Sequence, residues 1–144
     1  MSKVGSRLRQ WWRGSRVAAR PPATDDFRVI LETVQAVGVT LAVDGRITFA
    51  NDFLLRLTGW RRDEVLGRNW FGLFVPEDSD VQRLFRASVA SGRIFPHHEN
   101  EIRTRDGGTR TIAWDNVLLR DADGAVAGTA SIGRDVTDER AAVA

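Results

Sequence analysis

Three Asp-Gly pairs punctuate this chain: Asp44-Gly45, Asp106-Gly107 and Asp123-Gly124. Asp-Gly suits the tight hairpin turns that need positive φ, and each pair is flanked by segments that read as strands. Between the first pair and the second lies a helical stretch bounded by Asn51 and Gly92. After the third pair a last strand runs into Gly133-Arg134-Asp135-Val136-Thr137-Asp138-Glu139-Arg140. The order hairpin, helices, hairpin, strand, charged tail predicts an α+β fold: one antiparallel sheet with helices packed on one face. A length of 144 residues suits a single such domain.

Local signals place the elements. Thr24 caps a helix beginning at Asp25-Asp26, with Phe27, Ile30, Leu31 and Val34 on one apolar face. Val39–Val43 and Arg46–Ala50 flank the first turn as strands. Asn51 is a good N-cap for a helix over Asp52–Leu57, which Gly59 ends; Arg62–Leu66 is a further helical turn closed by Gly67. Pro76, with Glu77, Asp78 and Asp80, predicts the start of a helix running to Ser91, with Val81, Leu84, Phe85 and Val89 at helical spacing. Strands follow at 94–105, 109–120 and 125–135.

Composition removes several kinds of chemistry. With no cysteine, disulfides, thiolate zinc sites and cysteine nucleophiles are excluded. No apolar run approaches the ~18 residues needed to span a bilayer. No phosphate loop, nucleophile elbow or metal-spaced histidine pair is present. Glu99 and Glu101 read as a surface ladder pairing with Arg103, Arg105 or Arg110, and Asp115 as a solvated charge. No enzyme is expected. Charge is uneven: residues 1–20 carry +6 without an acid and the remainder carries −4, for a net +2. The basic leader, residues 1–24, contains Trp11 and Trp12; it is expected to be a flexible tail or an amphipathic segment on an anionic membrane surface. Arginine interleaved with tryptophan also suits nucleic acid, but no DNA-reading motif accompanies it and this partner is not expected. A cytoplasmic location is expected, peripheral to the membrane if the leader engages it.

Five segments stand in order: Asp44–Asn51, Leu57-Thr58-Gly59-Trp60, Asp63–Arg68, Glu99–Gly107 and Gly133–Thr137. Together they resemble a PAS domain of the bacterial S-box type, over about residues 25–140. The resemblance implies a PAS-like five-stranded antiparallel sheet, with helices on one face around a small cavity, and a role in signalling by sensing or dimerisation. It makes 25–137 the PAS domain and 138–144 the start of an output helix. It also implies that Asp135 and Thr137, in the family's D-[IV]-T element, relay cavity changes to that helix; they also serve simply as a strand-to-helix transition.

Cofactors follow by position. In the photoreceptor branch of the family a reactive cysteine follows G-x-N; here Gly67-Arg68-Asn69 is followed by Trp70, so a cysteine-adduct flavin is excluded. The flavin-holding polar positions of that branch fall on Ile102, Ile112 and Gly133, which offer no side-chain hydrogen bonds, so FMN is not expected. The haem-binding relatives take a histidine from the long helix, and Glu77–Ser91 holds none, so haem is not expected either. The identity of any cofactor is open. Strand alternation puts His98, Asn100, Trp114 and Asn116 on the cavity side, with Asn51 and Trp70 approaching from the helices and His97 pointing to solvent. These residues form a candidate ligand site; in the alternative reading Asn100 and Asn116 bind backbone and Trp114 is core. Two roles follow. One is a sensory module controlling a histidine kinase, cyclic-di-GMP enzyme or transcription regulator, as in two-component systems. The other is a ligand-free docking module. In either case the expected assembly is a homodimer through Phe27, Ile30, Leu31 and Val34 and the outer sheet face.

Overall fold

The computed structural model describes residues 24–143, so the leader lies, apart from Thr24, outside the described residues. The chain divides after Ile30 into two units, Met1–Ile30 and Leu31–Ala144. The first contributes the opening of helix α1 (Thr24–Thr33). The rest of the architecture belongs to the second.

The second unit continues with β1 (Val37–Ala42), β2 (Ile47–Ala50), α2 (Asp52–Thr58), α3 (Arg62–Val65), α4 (Trp70–Phe74) and α5 (Val81–Ser91). Then come β3 (His97–Arg103), β4 (Thr109–Arg120), β5 (Val126–Asp135) and α6 (Thr137–Val143). The five strands form one sheet in the order β2-β1-β5-β4-β3, with every neighbouring pair antiparallel. The α+β reading of the sequence therefore holds. The Asp-Gly turns hold for the expected reason: Gly45, Gly107 and Gly124 take φ of 88°, 92° and 83°, where a Cβ would clash with its own backbone.

Strand alternation decides which face is buried. On β4, Ile112 and Trp114 are buried while the side chain of Asp115 between them and Asn116 is mostly in solvent. The buried face joins Val39, Leu41, Ile47, Ile102, Ile112 and Trp114 to Leu54, Val65, Trp70 and Phe74 from the helical side. Burying side chains of this size contributes roughly 1.5–3 kcal/mol each, which makes this layer the main source of stability.

Several boundaries, and one whole helix, depart from the sequence reading. β1 starts two residues early, at Val37, where it pairs with Gly133. β3 starts at His97, because Pro96 has no N–H to give a ladder. α5 starts at Val81: Pro76–Asp80 is instead a turn, closed by the Ser79 N–H on the Pro76 carbonyl at 3.1 Å. The short α4 was not anticipated. Asn69 begins it, its Oδ1 accepting from the N–H groups of Phe71 (2.9 Å) and Gly72 (3.4 Å). Among the described residues no helix is long and apolar enough to cross a membrane.

Candidate functional site

A cavity of about 100 Å³ lies between the inner sheet face and helices α4 and α5. Its apolar walls include Trp70, Phe71 and Phe85 on the helical side and Val39, Leu41 and Trp114 on the sheet. The aromatics brace one another. Trp70 stacks on Phe74 with centroids 4.4 Å apart and meets Trp114 edge-on at 5.8 Å, and Phe71 packs on Phe85 at 5.0 Å. Ile94 and Phe95, from the irregular segment between α5 and β3, complete the rim, and Phe95 is 63% exposed.

Five of the six residues proposed from sequence line this cavity: Trp70, His98, Asn100, Trp114 and Asn116. The pairing register explains the grouping, since His98 lies opposite Trp114, and Asn116 opposite Ser131. The Trp114 indole N–H donates to Asn100 Oδ1 at 2.8 Å. Ser131 Oγ donates to Asn116 Oδ1 at 2.6 Å, and Asn116 Nδ2 donates to the Phe95 carbonyl at 3.3 Å. Trp114 thus belongs to the core and also hydrogen-bonds a site residue, and Asn100 binds a side chain rather than backbone. Asn116 holds both β5 and the rim. The His98 ring and the Asn100 N–H₂ group have no hydrogen-bond partner among the described residues. Sequence reasoning missed Ser88, Thr129 and Ser131, which also line the cavity. Thr129 and Ser131 were recoverable from the alternation along β5, because both face Asn116's side of the sheet.

Asn51 must be moved out of the candidate site. It is fully buried and does not line the cavity. Its Oδ1 accepts from Gly38 N–H at 3.0 Å and Leu54 N–H at 3.1 Å, and its Nδ2 donates to the Ala36 carbonyl at 2.7 Å. It caps α2, as expected, and ties that cap to the start of β1. The acidic ladder also needs correcting. Glu99 pairs with Arg140 of α6 at 2.6 and 2.7 Å, while Arg105 binds Glu64, Arg110 binds Asp135 and Arg103 donates to the Gly72 carbonyl. His97 is exposed and pairs with Asp115 on the outer face.

The residues proposed for the dimer contact have different surroundings. In the first unit Ile30 is exposed, and the Phe27 side chain lies outside the described residues. In the second, Val34 is 64% exposed, whereas Leu31 is half-buried over Gly38, where a Cβ would meet its Cδ1 at 2.9 Å.

At the sheet exit, Asp135 Oδ2 accepts from Arg110 Nε (2.9 Å) and Nη2 (2.7 Å). Its Oδ1 accepts from the Thr137 N–H (3.0 Å) and hydroxyl. Thr137 Oγ1 in turn accepts from the Thr111 N–H at 2.8 Å. Partial burial opposes the charge of Asp135, but the Thr137 hydroxyl and N–H and the Arg110 guanidinium outweigh it and hold the carboxyl below its ordinary value. Glu99 is likewise held low, by the hydrogen bonds from Arg140. The first turn of α6 is therefore fastened to β4 and β3 by side chains from two strands.

The family model for the PAS fold matches residues 25–136. The chain belongs to the PAS family. Comparison with curated proteins gives no match. Among solved structures, it is similar to a PAS domain from Colwellia psychrerythraea, with 20% identity, a TM-score of 0.65, and coverage of 81% of this chain and 99% of that one. It is similar to the PAS domain of an HTR-like protein from Haloarcula marismortui, with 20% identity, a TM-score of 0.59, and coverage of 78% and 90%. It is also similar to the dark structure of the blue-light photoreceptor Aureochrome1 LOV, with 24% identity, a TM-score of 0.63, and coverage of 86% and 91%. At these identities the likeness concerns the fold. Membership of the family supports a sensory signalling module in general.

The chain has no cysteine, and Trp70 fills the space between the sheet and Phe74. Ile102 and Ile112 are fully buried apolar side chains, and Ile112 and Trp114 occupy the room above Gly133. Sites for ligands of drug size and larger enclose roughly 300–1,000 Å³, several times this cavity.

Proposed function

We propose that this PAS domain is a sensory input module in which a small molecule occupies the cavity between α4, α5 and the sheet. The observation that carries this reading is the convergence of His98, Asn100 and Asn116 from the sheet on a cavity walled mainly by aromatic and aliphatic side chains. A few convergent polar groups in a mainly apolar cavity are what a ligand site offers. Occupancy is read out along β4. Trp114 and Asn100 touch the site, and the same strand carries Arg110 and Thr111, which hold Asp135 and Thr137 at the start of α6. A ligand that repositions Trp114 changes how firmly α6 is held, and the output is a partner effector such as a histidine kinase, a cyclic-di-GMP enzyme or a transcription regulator. The chain itself performs no catalysis in this reading. The two exposed carboxylate contacts, His97–Asp115 on the sheet and Glu99–Arg140 between β3 and α6, lie at the surface.

The test is native mass spectrometry of the purified protein with an absorption spectrum of the same sample. Added mass or a visible band supports the sensor. An apo mass, with no small molecule in a broad screen altering the Trp114 indole resonance, rejects it.

A second reading is a ligand-free docking module assembled as a homodimer. It is favoured by the exposed apolar side chains Val34, Val117 and Ile132 outside the core. Light scattering giving a monomer at ~100 µM, the dissociation range of a weak dimer, would exclude it. Attachment of the leader to an anionic membrane belongs with this reading, and vesicle co-sedimentation of the full chain tests it.

A further inference from the structure

We infer that Asp123 is a site of spontaneous covalent modification: its side chain closes on the Gly124 nitrogen to a succinimide that reopens to isoaspartate, ahead of the other two Asp-Gly pairs. The three pairs compare directly because they sit in the same backbone turn. In each, the glycine N–H donates to the carbonyl three residues back: Gly45 to Ala42 at 2.9 Å, Gly107 to Thr104 at 3.1 Å and Gly124 to Asp121 at 3.0 Å. In each, a second bond closes the turn, from the N–H groups of Ala42, Thr104 and Asp121 to the carbonyls of Arg46, Gly108 and Ala125 at 2.9, 2.8 and 2.9 Å. The glycines share φ of 88°, 92° and 83°. These are the marks of a type I turn followed by a G1 bulge. Main-chain conformation therefore does not rank the three pairs, and their surroundings do.

The first two aspartates are held. An aspartate in a turn accepts from the N–H two residues on; Asp44 does so from Arg46 at 3.1 Å and Asp106 from Gly108 at 3.2 Å. Asp44 also pairs with the Arg46 guanidinium at 3.3 Å, and Asp106 accepts from the Thr104 hydroxyl. Thr104 and Gly108 hold the Asp106 carboxyl below its ordinary value, which depletes the protonated form from which water leaves. Gly45 is buried, with the Phe71 ring 3.0 Å from where its Cβ would stand, and its carbonyl accepts from the Trp70 N–H at 2.9 Å. The first turn therefore cannot rearrange without α4. In the third turn the corresponding N–H, that of Ala125, donates to Asp121 Oδ1 at 3.0 Å, which also accepts from the Asp123 N–H at 2.9 Å. Asp121 thus takes the place that the Asp-Gly aspartate fills in the other two turns. The Asp123 carboxylate is left exposed, without a hydrogen bond or ion pair among the described residues, and no atom lies within 4 Å of where a Gly124 Cβ would stand.

The step needs only water. The Gly124 nitrogen attacks Asp123 Cγ and forms an N–Cγ bond, and the carboxyl hydroxyl leaves as water with the amide proton. Water then adds to either ring carbonyl. Breaking the N–Cγ bond restores aspartate; breaking the bond to the α-carbonyl carbon leaves isoaspartate, with the main chain one carbon longer and the mass unchanged. The Arg120 guanidinium donates to the Gly124 carbonyl and to the Gly92 carbonyl at the end of α5, at 3.0 Å each. A displaced Gly124 carbonyl therefore loosens a tie between this turn and the helix that walls the cavity.

The experiment is ageing of the full chain in warm neutral buffer, with timed samples digested and the aspartate and isoaspartate peptides of each turn separated by chromatography. The expected order is Asp123 first, by about 3- to 10-fold over Asp106, the factor set by one modest net hydrogen bond, with Asp44 last. In a parallel sample in concentrated urea the three rates should converge, since the contacts that separate them are gone. Equal rates in the folded chain, a faster Asp44 or Asp106, no isoaspartate at any turn, or a lead for Asp123 that persists in urea each overturns the assignment. In the isoaspartate fraction the Gly92 amide, which donates to the Ser88 carbonyl at 2.9 Å, should exchange faster; unchanged exchange overturns the link to α5 and leaves the site.

Discussion

Asp135→Asn is the perturbation that tests how α6 is held. The wild-type carboxylate accepts four hydrogen bonds, two from Arg110 and two from Thr137. Asparagine keeps one oxygen, enough for Thr137, but turns an N–H₂ group toward the guanidinium. The loss is the bidentate pair. Hydrogen bonds to charged groups contribute about 1.5–3 kcal/mol net when buried. Here the Arg110 side chain is 32% exposed and that of Asp135 15%, so solvent screening reduces the figure to about 1–2 kcal/mol for the pair. Local opening of α6 should therefore rise roughly 5- to 30-fold. The reporter is the Arg140 amide, which donates to the Val136 carbonyl at 2.9 Å and exchanges when the first turn opens. Native-state hydrogen exchange should show its protection falling by that factor, with Ile102 and Ile112 amides in the sheet unchanged. Unchanged protection at Arg140 would show that the Glu99–Arg140 pair alone holds the helix, and the relay reasoning would be wrong.

The same contact has a pH signature. Asp135 and Glu99 both have depressed carboxyl pKa values in the folded protein, so their contribution is complete above the unfolded carboxylate range, near 4, and is lost as pH falls through the folded values. Exchange at Arg140 should accelerate on acidification below about pH 4, beyond the intrinsic rate, and less so in Asp135→Asn. Asn51→Leu removes three buried hydrogen bonds and leaves Gly38 N–H and the Ala36 carbonyl without partners. At about 1–3 kcal/mol for each stranded group, urea denaturation should show a loss of about 3–5 kcal/mol; a loss below about 1 kcal/mol would mean the backbone relaxes around the site. Gly133→Ala places a methyl 2.4 Å from Ile112 Cγ2 and 2.8 Å from the Trp114 ring, and should cost about 1–3 kcal/mol by overpacking, read as a fall in Tm together with a shifted Trp114 indole resonance. His97→Ala breaks only an exposed pair with Asp115 and should change stability by less than about 0.5 kcal/mol in the same urea assay.

The sheet was legible because its turns carry a backbone requirement. A position with φ near 90° selects glycine, and three such positions next to aspartate mark out the strands without reference to anything distant. The cavity side of β3 and β4 was legible for a similar reason, since a period of two is a property of the strand alone. What escaped were facts that depend on partners far away in the chain. Asn51 presents the same amide to a helix start whether or not a strand lies beside it. Only the fold brings Gly38 and Ala36 against it and uses up the valences a ligand would need. Glu99 sits on a strand with arginines on either side, and its actual partner, Arg140, comes from the helix beyond the sheet. The helix α4 was hidden because Trp70-Phe71-Gly72-Leu73-Phe74 is apolar throughout, with a glycine in its middle and no polar alternation to reveal a period.

The strand order has a consequence for how the molecule comes into being. β1, the sheet's first strand in sequence, lies beside β5, its last, with Val37 opposite Gly133. The β1–β2 hairpin and the β3–β4–β5 meander can each form from neighbouring residues, but neither half completes the sheet. Joining them closes a loop of most of the domain, so it carries the larger entropic cost. During synthesis, β1 has to wait, half-paired, until nearly the whole domain has been made. The strand that finally arrives is the one that ends in Asp135 and leads directly into α6. The last seam to close in assembly is thus continuous with the outgoing helix, and in the finished protein a strain on that helix pulls on the pairing that was hardest to make.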